Sequence, residues 1–327
     1  MNEHLKNKVD QMLVRYLELE KAFIWENNLS KHFVALIFTQ HNKDVNKETI
    51  KNAIDVINTN TSIFSNFRGL YRYMLAGLML IDSDSVEGTF NRILQCESHL
   101  KDAGFKQGTH MPIASYTLYK TAADEDPKAM ARRAFEIFSN IKSNHPWLTS
   151  SDDYAMSVLL AKTEIDLSRI EDAYESLHKA GLYKGNELQR LSHILALSNR
   201  PIDEVVAECV LLKGLLKANK LNLSPTFYAA LGIITLINIE DPQISKDWIE
   251  LSQYLNIQKK FKWLGKGMNV LLASSIVSDQ WIRTSMSTDI DKITISISVE
   301  SLIAAQITAL VVASSASVVA TTASTNS

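Results

Sequence analysis

The chain has 327 residues, of which 46% are hydrophobic and 21% charged, with a formal net charge of −2. That length can bury one large core or two ordinary ones, and the near-neutral balance gives no electrostatic reason to expect a nucleic-acid partner. Cys96 and Cys209 stand alone without CxxC spacing, which argues against a disulfide framework or thiolate zinc site and fits a reducing, cytoplasmic setting.

The first residues, Met1 to Lys6, contain no apolar run of signal-peptide length, so nothing there directs export. Val9, Leu13, Tyr16, Leu17 and Phe23 then form a helical stripe over Leu5 to Trp25, expected to cap the N-terminus within residues 1–28. From residue 29 to 280 a short apolar segment centred on a small residue recurs. Examples are Phe33-Val34-Ala35-Leu36, Met74-Leu75-Ala76-Gly77-Leu78 and Tyr154-Ala155-Met156-Ser157-Val158. Its anchors are Ala35, Ala76, Ala114, Ala155, Ala196, Ala230 and Ala273, spaced by 41, 38, 41, 41, 34 and 43 residues.

Each anchor segment is followed by a break and a second amphipathic helix. The breaks carry turn and capping residues, as in Asp124-Glu125-Asp126-Pro127, Asn199-Arg200-Pro201 and Glu240-Asp241-Pro242, where Pro suits a first helical position. Phe90, Ile93, Leu94 and Leu100 make one second-helix stripe; Ala134, Phe135, Ile137, Phe138 and Ile141 make another. Gly104 and Gly181 read as C-terminal caps. The alternation Ile293-Thr294-Ile295-Ser296-Ile297 is read as an extended lead-in to a final helix at 298–315, with 316–327 as a disordered tail.

That end has no charge from Ser301 to Ser327, and Leu302 to Ala323 is long enough to span a bilayer. Its Ala, Ser and Thr content, Gln306 and the lack of a flanking basic cluster favour a buried helix instead, so a membrane partner is not expected. Two-helix units cannot bury their apolar faces alone and must stack. The expectation is therefore an all-α, single helical-repeat domain over 1–315: an array of about six to seven antiparallel hairpins, in the form of an α-α superhelix or irregular α-solenoid.

GxSxG, Walker, HExxH, EF-hand and dinucleotide motifs are absent, and no two histidines stand at i, i+3 or i+4, so no catalytic residue, metal or cofactor is assigned. Lys259-Lys260-Phe261-Lys262-Trp263, with Lys266, could touch phosphates or a membrane surface; a solvated helix face with aromatics turned inward is preferred. If the first helices stack in parallel register, their N-termini share one edge. That edge collects His32, Arg68, Arg72, His110, Asp152, Asp153, Asn186, Gln189 and His193. These groups could form a shallow ligand or docking site at exposed helix N–H groups. Alternatively, and preferably, Ser151, Asp152 and Asp153 cap one helix while His193 satisfies a buried partner.

Asn144-His145-Pro146-Trp147-Leu148-Thr149, followed by Asp152-Asp153 and Val158-Leu159-Leu160-Ala161, resembles the central signature of a family of uncharacterised bacterial proteins. That family is a domain of unknown function found mainly in low-GC Gram-positive bacteria. Lys184 to Gln189, running into Leu191 to Leu197, resembles its second signature, and the likeness extends over about residues 5–315. Trp147 stands where the family pattern has Phe. The resemblance implies cytoplasmic residence and no catalytic activity. Its motif positions His145, Thr149, Asp152, Asp153, Asn186, Gln189 and His193 overlap the shared edge, making them the candidate binding residues. A protein-interaction or scaffold module with an unidentified protein partner is the expected function. The alternative is a small-ligand binder or enzyme at the junction of the fourth and fifth hairpins.

Overall fold

The computed structural model describes residues 2–82, 85–163, 166–237, 242–285 and 299–307. Among these the chain is helical throughout, without strands. The helices are α1 (Glu3–Ala22), α2 (Asn28–Gln40), α3 (Lys47–Thr59), α4 (Arg72–Asp82), α5 (Val86–Ala103) and α6 (Met111–Thr121). They continue as α7 (Pro127–Asn144), α8 (Tyr154–Lys162), α9 (Ser168–Lys179), α10 (Asn186–Ala196) and α11 (Ile202–Ala218). Last come α12 (Ala229–Leu236), α13 (Pro242–Ile257), the single turn α14 (Lys259–Lys262), α15 (Gly265–Ser285) and α16 (residues 299–307).

Two kinds of helix alternate, and their sequences dictate the layer each occupies. Along α2 every side chain from Ser30 to Thr39 is buried, and along α12 every one from Ala229 to Thr235. A helix apolar on all faces must be surrounded by protein. By contrast α3 buries only Ile50, Ala53 and Ile57, and α9 only Ile170, Ala173, Tyr174 and Leu177, the spacing of a single stripe. Hence α2, α4, α6, α8, α10, α12 and α15 form an inner layer, with α1, α3, α5, α7, α9, α11 and α13 outside it. Each anchoring alanine lies buried on an inner helix. Several hydroxyls there bond back one turn: Thr39 to Ala35 O at 2.7 Å, Thr117 to Ile113 O at 2.8 Å, and Thr235 to Leu231 O at 3.0 Å.

The array closes on itself. Tyr254 Oη of α13 donates to Asp10 Oδ1 of α1 at 2.9 Å, and Lys260 Nζ reaches Glu20 Oε2 at 2.6 Å. Inside, Gln40 Nε2 of α2 donates to Ser275 O of α15 at 3.1 Å. The first helix, expected to cap one end, is thus the outer partner of α2 in a ring without free ends. It also stops at Ala22 rather than Trp25, because the Asn27 side chain accepts from Leu29 N and starts α2.

The inner helices run parallel, so their N-termini form one rim. Contacts at helix starts follow it round: Arg72 with Glu26 at 3.7 Å, the Tyr71 and His110 rings at 6.1 Å, and the Phe105 and Tyr154 rings at 4.7 Å. Gln189 Nε2 donates to Thr149 Oγ1 at 2.8 Å, Phe227 packs on Gly267, and His32 Nε2 meets Lys260 O at 3.1 Å.

The final helix differs most from expectation. Instead of closing one end of a stack, α16 occupies the middle of the ring. Val299, Leu302, Ile303, Ala304 and Ile307 are each at most 4% exposed. At one end Glu300 accepts from Tyr116 Oη at 2.6 Å and pairs with His41 Nε2 at 3.2 Å. At the other, Gln306 Nε2 donates to Thr226 O at 2.8 Å and Gln306 Oε1 meets Arg190 Nη1 at 3.4 Å. Small Ala and Ser side chains let it fit among the packed inner helices. The alternation at 293–297, the residues beyond 307 and the tail at 316–327 lie outside the described residues.

Candidate functional site

The rim formed by the inner-helix N-termini holds the residues singled out from sequence, distributed over several small groups. Ser150 N donates to Asp153 Oδ2 at 3.0 Å, so Asp153 caps the turn that starts α8. Asp153 faces His193 on α10, with 3.9 Å between Oδ1 and Nδ1. Thr149 is joined to Gln189 by the buried bond already described. His145 turns away to the outer layer, where Nε2 meets Glu171 Oε2 at 2.8 Å and the ring lies 4.8 Å from Tyr174. Asn186 is the exposed first residue of α10.

Asp152 belongs to a different set, organised by Arg190. Arg190 Nη2 donates to Asp152 Oδ2 at 2.8 Å, Nη1 donates to Glu187 Oε2 at 2.8 Å, and Nη1 also faces Gln306. Beside it, burial and the Arg190 charge lower the His110 pKa against the pull of Asp152. Burial raises that of Glu187. Arg190, Tyr71 and Gln306 were not singled out from sequence. The available signal was the i, i+3 spacing of Glu187 and Arg190, a common helical ion pair. Arg68 and Arg72 hold local backbone and side chains: Arg68 binds the carbonyls of Asn58 and Thr61, and Arg72 pairs with Glu26.

These groups are largely occupied by one another. A cavity of about 310 Å³ instead lies at the opposite end of the ring, lined by Asp82, Arg92, Cys96, Tyr119 and Lys120. No group of three or more His, Cys, Asp or Glu among the described residues is placed to hold a metal ion.

What the rim offers outward is apolar surface. The loop entering α2 carries Ile24 and Trp25, 67% and 94% exposed; that entering α4 carries Ile63 and Phe64, 73% and 89% exposed. The loop entering α8 presents Trp147 at 95%, that entering α10 presents Tyr183 at 78%, and α13 and α14 add Ile257 and Trp263 at 74% and 52%. Among the other exposed large apolar side chains, Leu70 is also at this rim, whereas Val14, Leu17 and Leu211 lie on outer helices. Apolar tips gathered at one end of a molecule mark a contact surface.

The chain belongs to the family described as protein of unknown function (DUF4003), whose model matches residues 15–308, in accord with the bacterial family expected from the motifs. It is similar to a protein of Bacillus subtilis (strain 168) named "Uncharacterized protein YeaA", with 22% identity over 284 residues, or 84% of this chain and 85% of that one. No solved structure matches the chain. Among the described residues no helix is long and apolar enough to cross a membrane.

Proposed function

We propose that this protein is a docking module whose working face is the rim at which the inner helices begin. The observation that carries this reading is the collar of exposed side chains, above all Trp25, Phe64 and Trp147, each at least 89% exposed. Aromatic side chains are favoured anchors at contact surfaces because they bury a large area at a small entropic cost. The ring supports a scaffold reading in another way: its middle is filled by α16, so a partner is met on an outer surface such as the rim rather than in a central channel. The small-ligand alternative draws less support, since Asp152, Glu187 and Arg190 are engaged with one another and His193 is sealed.

A photo-crosslinking residue placed at position 147 in native cells tests this reading, with position 211 as the control because Leu211 is exposed on an outer helix. A discrete adduct at 147, protein or lipid, that is absent at 211 is the expected result. Equal labelling at both positions, or none at either, overturns it.

A further inference from the structure

We infer that the surface docked by this rim is that of an anionic lipid bilayer. The inference rests on the docking reading above and identifies its partner by charge and shape. Two observations separate a bilayer from a protein partner.

The first is polarity. Exposed basic side chains stand among the aromatic tips: Lys106 before α6, Lys220 before α12, Lys259 and Lys262 in α14, and Lys266 in α15. The outer helices that end at this rim add Lys21, Lys101, Lys142, Lys179 and Lys217 in their last turns. Most acids here are paired or buried, as Glu26 with Arg72, Asp152 and Glu187 with Arg190, and Asp153 capping α8, while Asp102 is exposed beside Lys101. The parallel inner helices also aim their positive dipole ends at this face. The opposite rim carries acidic connections, with Asp44 before α3, Asp124 to Asp126 before α7, and Asp166 before α9. A molecule of near-zero net charge is therefore basic at its aromatic end and acidic at the other.

The second is shape. The tips project from loops spread round a ring whose centre is plugged, so they bound a broad face rather than a groove for a peptide. A broad face with Trp, Tyr and Phe at its edge and Lys between them suits a bilayer interface. Indole and phenol rings settle at the headgroup level, and each Lys near an anionic surface contributes about 1 kcal/mol. Snorkelling lets the Lys stems lie along the same apolar layer. The described part of α16 ends near this rim, where Gln306 meets Thr226 and Arg190, and the sequence 308–327 carries no charge.

Co-sedimentation of the full chain with vesicles tests the inference, using phosphatidylcholine alone and phosphatidylcholine containing phosphatidylglycerol. Binding should be about tenfold stronger to the anionic vesicles and weaken as salt is raised. The triple variant Trp25→Ser, Phe64→Ser, Trp147→Ser should lose about tenfold or more, and Lys259→Glu with Lys262→Glu about tenfold, with unfolding temperatures unchanged because these side chains are exposed. No binding to the anionic vesicles, equal binding to both kinds, or full binding by the rim variants each overturn the inference. A version ending at residue 307 guards against binding through the remaining sequence: loss of binding there, with the rim variants unaffected, also overturns it. If vesicles fail while position 147 still gives a protein adduct in cells, the docking reading survives and the lipid partner does not.

Discussion

Nδ1 of His193 lies 3.9 Å from Oδ1 of Asp153, and the histidine is sealed from solvent with the aspartate only 5% exposed. Burial, reinforced by the negative charge of Asp152, raises the Asp153 pKa to about 7 despite the Ser150 N–H and Arg190. Burial lowers that of His193 to about 3, with Arg190 acting in the same direction. Both are neutral in mildly acidic solution, when the unfolded chain carries a carboxylate and an imidazolium. Native Asp153 holds a proton that the unfolded chain releases above about pH 4, so its contribution to stability falls as pH rises from there to about 7. Native His193 refuses a proton that the unfolded chain takes up below about pH 6.5, so its contribution falls as pH drops toward about 3. Over the shared window the two slopes offset each other.

Asp153→Asn removes one slope and keeps the other. The stability gap between wild type and variant should widen by about 3 kcal/mol as pH is lowered from about 7.5 to about 4.5. Urea unfolding midpoints across that range measure it. A gap independent of pH would show that the aspartate is ionised in the native state.

Glu300 tests the placement of α16. Burial works against its charge, but the His41 bond, the Lys120 charge and the Tyr116 hydroxyl together bring its pKa below the usual glutamate value. Its stabilising contribution is therefore present above the unfolded value, about pH 4.5, and is lost as pH falls through the lower native value. Glu300→Gln should cost about 2–3 kcal/mol, because it takes the buried charge away from His41 and Tyr116, while Lys120 keeps its ion pair with Asp82. Amide exchange over residues 299–307 should quicken while α3 keeps its protection. Unchanged exchange in α16 would mean that Glu300 does not anchor it.

Two glycines make opposite predictions. A Cβ on Gly232 would lie 2.6 Å from Ile194 Cγ2 and 3.0 Å from Ile194 Cβ, at the contact of inner helices α12 and α10. Gly232→Ala should destabilise by about 1–3 kcal/mol through overpacking. Gly214, on the exposed side of α11, has nothing within 4 Å of such a Cβ. Gly214→Ala should stabilise by about 0.5–1 kcal/mol by stiffening the unfolded chain. Thermal unfolding of the pair checks both signs. A neutral Gly232→Ala would contradict the close approach of the inner helices.

The all-helical class was legible because apolar periodicity and capping residues act over a few positions, as at Asp126-Pro127 and Gly104. The inner layer was legible too, since Ala35, Ala76 and their counterparts sit in segments apolar on every side. Closure was not. It depends on contacts such as Tyr254 to Asp10, 244 residues apart, which leave no local pattern. The apolar and small residues of 299–307 suggest a terminal helix, but only the surrounding helices show that it fills the ring. The shared edge placed Asp152 near α10 without identifying Arg190 as its partner, because ion pairing across helices depends on side-chain reach. Trp147 marks the other limit: in the sequence it is only the aromatic position of a motif, and the structure leaves it 95% exposed.

Amide hydrogen exchange of the full chain, with and without phosphatidylglycerol-containing vesicles, most directly tests the claim that the aromatic rim is the working face. Protection is predicted in the loops at residues 23–27, 60–70, 145–149, 182–185 and 258–264, which carry Trp25, Phe64, Trp147, Tyr183 and Trp263. The connections of the opposite rim at 122–126 and 197–201 should exchange as before. Protection at those connections, or no change at the aromatic loops, would contradict the account.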